Sequence, residues 1–339
     1  MEQLCENLKT LSSACYIGDV TDARDVVEKL IRPYVDEMYT DKSGGLIAKI
    51  AGETERKVML QAHLDEIGFV VTKVLSGGFV RVQKVGGIDI RVLPSASVII
   101  HAKQNVRAVF TSTPPHLAGK DNSGKFPDMD EIMLDTGLDN ADEIIKTGDF
   151  ATFDVAPTAL LNDKFSGKSL DNRTGCLALI RAAELIRNNG KPHDTVYFSF
   201  SSGEELGNRG AKIAAFEITP DEAVAVDVSF GLSPMAPAEH CGTLGKGAMV
   251  GFSPVLSRDI TDKLTDSADK RGLIYQHEVM GGRTSTDADV ISLTKCGVSC
   301  GLLSIPLRYM HTPIEVVSLA DIENVAQILA AYIADNNEG

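Results

Sequence analysis

Apolar and polar positions change texture twice along the chain, so that an α/β pattern is interrupted by a β-rich stretch. Residues 4–14 carry a helical spacing. Residues 22–35 carry another, which starts at a Thr21 or Asp22 cap and puts Val26, Val27, Leu30 and Ile31 on one face. A strand-like run at 57–62 then delivers His63-Leu64-Asp65-Glu66-Ile67-Gly68. From Phe69 to about Asn162 the apolar runs are short (69–74, 79–85, 97–101, 108–111 and one near 150–155). They are broken by Gly77-Gly78, Gly86-Gly87, Pro94 and Pro114-Pro115. Strands this short and closely spaced predict a small β-barrel or sandwich rather than βαβ units.

The α/β pattern resumes at Lys168. A long helix carries Leu177, Ile180, Ala183, Leu185 and Ile186 and stops at Gly190. A buried strand at 195–200 leads into Ser201-Ser202-Gly203-Glu204-Glu205-Leu206-Gly207, and a strand at 223–226 delivers Asp227. Further helices are expected at 259–272, 287–294 and 319–334, with extended segments at 274–278 and 297–305. The expected fold class is α/β: a mixed, largely parallel sheet flanked by helices, built from 1–67 and 163–339, with a small β-barrel-like domain inserted at 68–162.

Composition narrows the partners. The 47 acidic residues outnumber the 33 basic ones, and the net charge of −14 argues against nucleic acid and anionic membrane as partners. No stretch approaches the roughly 18 to 20 apolar residues of a membrane span. The first residues lack the basic start and apolar core of a signal peptide, so a cytoplasmic location is expected. The scattered Cys5, Cys15, Cys176, Cys241, Cys296 and Cys300 read as free thiols, with no Cys-x-x-Cys zinc pattern among them.

The candidate chemistry lies at strand ends. His63, Glu204 with Glu205, and Asp227 each follow an apolar strand; His311 follows another by a few residues, and Asp171 sits at a helix entrance. Singly, each has a plain structural reading: a loop histidine, a helix cap, a turn former. Jointly they could converge, because the C-terminal ends of parallel strands share one edge of a sheet. Two imidazoles with several carboxylates and no thiolate suit zinc, cobalt or manganese. Two ions about 3.5–4 Å apart need a bridging ligand. Sharing Asp171 gives each ion three ligands: His63, Asp171 and Asp227 for one, and Asp171, Glu205 and His311 for the other. Glu204 is left as candidate general base. Asp65, two residues after His63, is placed to accept the second ring proton and fix the tautomer.

The segments Ala62-His63-Leu64-Asp65-Glu66-Ile67-Gly68, Leu170-Asp171-Asn172-Arg173, Gly203-Glu204-Glu205-Leu206-Gly207 through Arg209-Gly210-Ala211, Asp227-Val228, Thr286-Asp287-Ala288 and Arg308-Tyr309-Met310-His311-Thr312-Pro313 resemble, in order, the motifs of family forty-two of the metallopeptidases. That family comprises glutamyl and tetrahedral aminopeptidases, some once labelled endoglucanases. The resemblance implies a dinuclear aminopeptidase domain, with two divalent ions per chain (zinc first, cobalt or manganese as alternatives) and peptide substrates. It gives His63, Asp171, Glu205, Asp227 and His311 as ligands, Glu204 as base and Asp65 as support. It also implies dimerisation through the inserted domain, and a homo-oligomer that is a dimer or a tetrahedral dodecamer.

Two rivals fit less well. A glycoside hydrolase could use Glu204 with a second carboxylate but needs neither two histidines nor a bridging aspartate. A non-catalytic peptide binder has little use for a base beside a full ligand set. His101, His116, His193, His240 and His277 read as surface or structural residues, and Asp287 and Asp289 as pocket-lining or helix-start acids.

Overall fold

The computed structural model describes residues 1–114, 116–117, 128–234 and 236–335, so Pro115 of the expected 114–115 turn lies outside the described residues. Helices α1 (Glu2–Ser13) and α2 (Asp22–Ile31) precede strands β1 (Glu37–Thr40), β2 (Leu46–Ile50) and β3 (Lys57–His63). Strands β4 (Gly68–Val74), β5 (Phe79–Val85), β6 (Ser97–His101), β7 (Asn105–Phe110), β8 (Leu134–Asp135) and β9 (Phe150–Phe153) follow, with the short helix α3 (Ala141–Ile144) before β9. Next come β10 (Thr158–Ala159), β11 (Lys164–Gly167), α4 (Leu170–Asn188), β12 (Thr195–Ser201), α5 (Arg209–Ile218) and β13 (Glu222–Phe230). The chain continues through β14 (Ala248–Phe252), α6 (Arg258–Lys270), β15 (Tyr275–Val279), α7 (Ala288–Ile291), β16 (Ser299–Arg308), β17 (Glu315–Ser318) and α8 (Leu319–Asp335).

Strands β4 to β9 close on themselves as a barrel in the order β4-β5-β8-β7-β6-β9; the rest form one 11-stranded mixed sheet running β1-β2-β12-β3-β13-β16-β17-β11-β10, with β14 and β15 off β16. Strands β12, β3, β13 and β16 are mutually parallel and form its centre. Alternation along them sorts side chains between two helical layers. Val58, Leu60, Ala62, Val224 and Val226 join the core under α1, α2, α4, α6 and α8, whereas Met59, Ala223 and Ala225 pack against α5 and α7. The barrel has its own core, in which Phe69 meets Phe110 and Phe153 edge-on at 4.9 and 5.4 Å.

The α/β class with an inserted barrel is thus the observed fold. The sequence reading passes over β1, β2, β8, β14 and the edge pairs β10–β11 and β11–β17. Strand β2 is a five-residue run too short for periodicity to distinguish, and the β1–β2 turn is set by Asp41, whose Oδ1 accepts from Ser43 N at 2.7 Å and Gly45 N at 3.0 Å. The helix expected over 287–294 shrinks to Ala288–Ile291. Asp227 stands inside β13 rather than past its end, because pairing with β16 carries that strand on to Phe230. No helix among the described residues is long and apolar enough to cross a membrane.

Candidate metal centre

Register builds the site. β3 and β13 pair in parallel with Ala225 beside Gln61, so two residues further on Asp227 comes alongside His63, on the sheet face of Met59 and Ala225. β12 pairs on the other side of β3 with Ser201 opposite His63, and the chain turns at Gly203 (φ +72°) to bring Glu204 and Glu205 over the same edge. Asp171 precedes the regular part of α4, and its side chain caps no helix amide. That role falls to Asn172, whose Oδ1 accepts from Gly175 N at 3.1 Å. His311 lies in the turn between β16 and β17.

All seven predicted residues meet here. His63 Nε2 lies 3.1 Å from Asp171 Oδ1, 3.8 Å from Asp227 Oδ1 and 4.0 Å from Glu204 Oε2. His311 Nε2 lies 3.4 Å from Asp171 Oδ2 and 3.3 Å from Glu205 Oε1. The donor atoms of His63, Asp171 and Asp227 lie within 4.8 Å of one another, and so do those of Asp171, Glu205 and His311.

Both histidines present the same nitrogen. His63 Nδ1 donates to the Asp65 carbonyl at 3.1 Å and His311 Nδ1 to the Gly87 carbonyl at 2.7 Å. A carbonyl can only accept, so Nδ1 keeps its proton and, in the neutral ring, Nε2 is the nitrogen left with a lone pair towards the acids. The His311 contact is made by the barrel: Gly87 follows β5, and a Cβ there would stand 3.0 Å from His311 Nδ1. The Asp65 carboxylate is farther from His63 Nδ1, at 3.6 Å, and accepts the amides of Glu204 and Glu205, each at 3.1 Å. It therefore pins the turn that carries both glutamates.

The charges are unbalanced without a cation. Burial raises Asp227 well above the usual carboxylate range, Glu204 to about 7 and Glu205 to about 8, and neighbouring acids add to each shift. Burial opposes ionisation of Asp171 too, but the two imidazoles outweigh it and hold it low. Burial would lower His63, yet Asp171 and Asp65 hold it well above its ordinary value; the Asp171 contact raises His311 to about 9. Crowded oxygens with two imidazole nitrogens fit divalent zinc, cobalt or manganese. Cys176, buried nearby, donates its thiol to the His63 carbonyl at 3.1 Å, and burial pushes its pKa to about 12, which keeps it out of the donor set.

Two supports escaped the sequence reading. Buried Glu315 accepts the His311 amide through Oε1 at 2.9 Å and the Asp171 amide through Oε2 at 3.2 Å, clamping two candidate ligands at once. Asn208 donates to Glu204 Oε1 at 2.9 Å and to Asp287 Oδ1 at 3.1 Å, so Asp287 backs Glu204 from behind. Asp289 orders the cavity wall by accepting from Thr284 N at 2.9 Å and Ser285 N at 3.1 Å. The cluster opens on a cavity of about 510 Å³.

Comparison with known proteins finds relatives along nearly the whole chain. The lysyl aminopeptidase of Pyrococcus furiosus is 32% identical over 92% of this chain and 91% of its own. An aminopeptidase from Desulfurococcus kamchatkensis superposes with a TM-score of 0.91 at 31% identity, covering 98% of this chain and 95% of that one. The TET1 peptidase of Pyrococcus horikoshii does so at 0.86 and 30%, covering 97% and 99%. The M42 glutamyl aminopeptidase model matches residues 44–328, and the chain therefore belongs to that family of peptide-bond hydrolases.

Proposed function

We propose that this chain is a metal-dependent aminopeptidase that removes N-terminal residues from peptides, with Glu204 as general base. The observation that supports it most is the division of Asp171, whose Oδ1 faces His63 at 3.1 Å while Oδ2 faces His311 at 3.4 Å, as a carboxylate shared by two ions would. In this reading His63, Asp171 and Asp227 would hold one divalent ion and Asp171, Glu205 and His311 the other, with zinc as first choice and cobalt or manganese as alternatives. Bound there, the ions supply Lewis acidity that lowers the pKa of water and polarises a carbonyl.

The chain's own residues do the rest. Glu204 Oε1 is held by Asn208, which leaves Oε2 facing the cluster to take a proton from the attacking water and return it to the leaving amine. Asp65 holds the backbone of Glu204 and Glu205, and Asp287 steadies Asn208. We further propose that 1–67 with 163–339 is the catalytic unit and that 68–162 mediates dimerisation within a homo-oligomer. Support for the homo-oligomer comes from the Pyrococcus horikoshii TET1 peptidase, which can assemble into a tetrahedron or a large octahedral shell. A cytoplasmic site of action is supported by cysteines that remain free thiols.

The test is hydrolysis of aminoacyl chromogenic amides by chelator-stripped protein, then after addition of zinc, cobalt or manganese, with Glu204→Gln in parallel. Metal-restored turnover that falls by about 10²–10⁴ in the variant is expected. Bound ions without turnover on amides or short peptides would overturn the reading.

A further inference from the structure

Besides the exposed Glu239, the cavity holds one carboxylate that the mechanism leaves unused. Glu278, on β15, lines it together with Ser229 and Ser304, which donate their hydroxyls to its two oxygens; Ser304 Oγ lies 2.6 Å from Oε2. Topology sets its two serine partners beside the ligand cluster. Ser229 lies two residues beyond Asp227 on the same face of β13, and Ser304 pairs with Asp227 across to β16. Neighbouring strands are about 4.8 Å apart and two residues advance about 6.6 Å. An extended lysine reaches roughly 6 Å from Cα to Nζ on bonds of about 1.5 Å, so the spans match.

The surroundings select for charge. The side-chain partners of Glu278 among the described residues are the two serines, with no ammonium or guanidinium beside them. The other charged residues of the wall outside the ligand cluster, Glu239, His240, His277 and Arg283, are exposed. Buried Val228 and Met249 line the same cavity and offer apolar surface to a methylene stem. We propose that Glu278 selects substrates whose N-terminal residue carries a cationic side chain, lysine or arginine, by pairing with its ammonium or guanidinium. An acidic side chain meets like charge there, and an uncharged one leaves a desolvated carboxylate without a counter-charge.

The inference rests on the aminopeptidase reading, and the test separates the two. Metal-loaded protein is assayed on lysyl, arginyl, norleucyl and glutamyl p-nitroanilides; lysine and norleucine differ only in the terminal amine. In parallel, calorimetry measures the binding of lysinamide and norleucinamide to Glu204→Gln. The expected wild-type kcat/KM favours lysyl over norleucyl substrate by roughly 30-fold or more, and Glu278→Gln collapses that ratio towards one. The ratio is internal to each preparation, so a partly misfolded variant does not distort it. Glu278→Lys should move the preference towards the glutamyl amide. Turnover without a lysyl preference, or a ratio unchanged in Glu278→Gln, overturns the assignment and leaves the peptidase reading standing. Tighter binding of lysinamide with no turnover of any amide supports the assignment and removes the peptidase reading. Neither turnover nor lysinamide preference removes both.

Discussion

Glu66→Gln should destabilise the protein far more than a change of one atom suggests. Glu66 is buried, and its Oε2 meets Lys168 Nζ and Ser169 Oγ, each at 2.6 Å, while Oε1 accepts from Tyr16 N at 3.0 Å and faces Arg173 Nη2 at 3.4 Å. Lys168 and Arg173 are themselves buried, so an amide at position 66 strands two cations away from water. Arg173 keeps the carbonyls of Leu11 and Ala14, but its Nε has no partner, and Lys168 keeps little beyond Ser169. Removing one member of a buried ion cluster costs about 3–5 kcal/mol. At roughly 2 °C per kcal/mol for a chain of this size, that is a Tm lower by about 6–10 °C. Burial raises the Glu66 carboxyl, but Lys168 and Arg173 outweigh it and hold it below the usual range. Its contribution is therefore complete above the unfolded value of about 4.3 and is lost as pH falls through the lower folded value. Urea or thermal unfolding of wild type and variant at pH 7 and at pH 4 and below measures both effects: the gap should be wide at neutrality and narrow in acid. Adding Lys168→Met to Glu66→Gln should recover part of the loss, since it removes a stranded charge. A variant within about 1 °C of wild type at pH 7, or a double variant no better than the single one, would refute the argument.

Glu315→Ala should lower metal affinity by about 10- to 100-fold, measured as residual zinc after dialysis against graded chelator, because it frees the amides of both Asp171 and His311. An unchanged chelator midpoint would show that the ligands hold themselves in place. Metal uptake should release protons near neutrality. In the ion-free protein Glu204 titrates at about 7, Glu205 at about 8 and His311 at about 9, so affinity should rise with pH from 6 to 9. Calorimetry in buffers of different ionisation heat reads the protons directly, and the same heat in every buffer would contradict this.

Much of the site was legible because His63 and the Glu204-Glu205 pair each follow an apolar run, and a parallel sheet gathers such ends along one edge. Asp171 and His311 had weaker local signals and came through residue type and motif order. Glu315 gave no signal at all. It opens a short strand, and its work is to accept amides 4 and 144 residues away, which no periodicity encodes. Asp65 was expected at the ring of His63, but its main-chain oxygen is the closer acceptor and its carboxylate turns to amides 139 and 140 residues on. Strand β15 shows the same limit: its extended character is readable, but the pairing of Glu278 with two serines on other strands is not.

The Gly87 carbonyl has a mechanical consequence. Through it the barrel sets the tautomer and position of His311, and Gly86 and Gly87 pass so close to Glu205 and His311 that a β-carbon at either would crowd them. Barrel and sheet are thus joined at the candidate metal centre as well as along the chain. A load applied to the barrel, whether by a neighbouring subunit or by an engineered graft, is delivered within hydrogen-bond distance of a candidate ligand, His311. A barrel transplanted from another protein would have to bring its own glycine pair in the same register, or the transplanted enzyme would fold and yet run poorly.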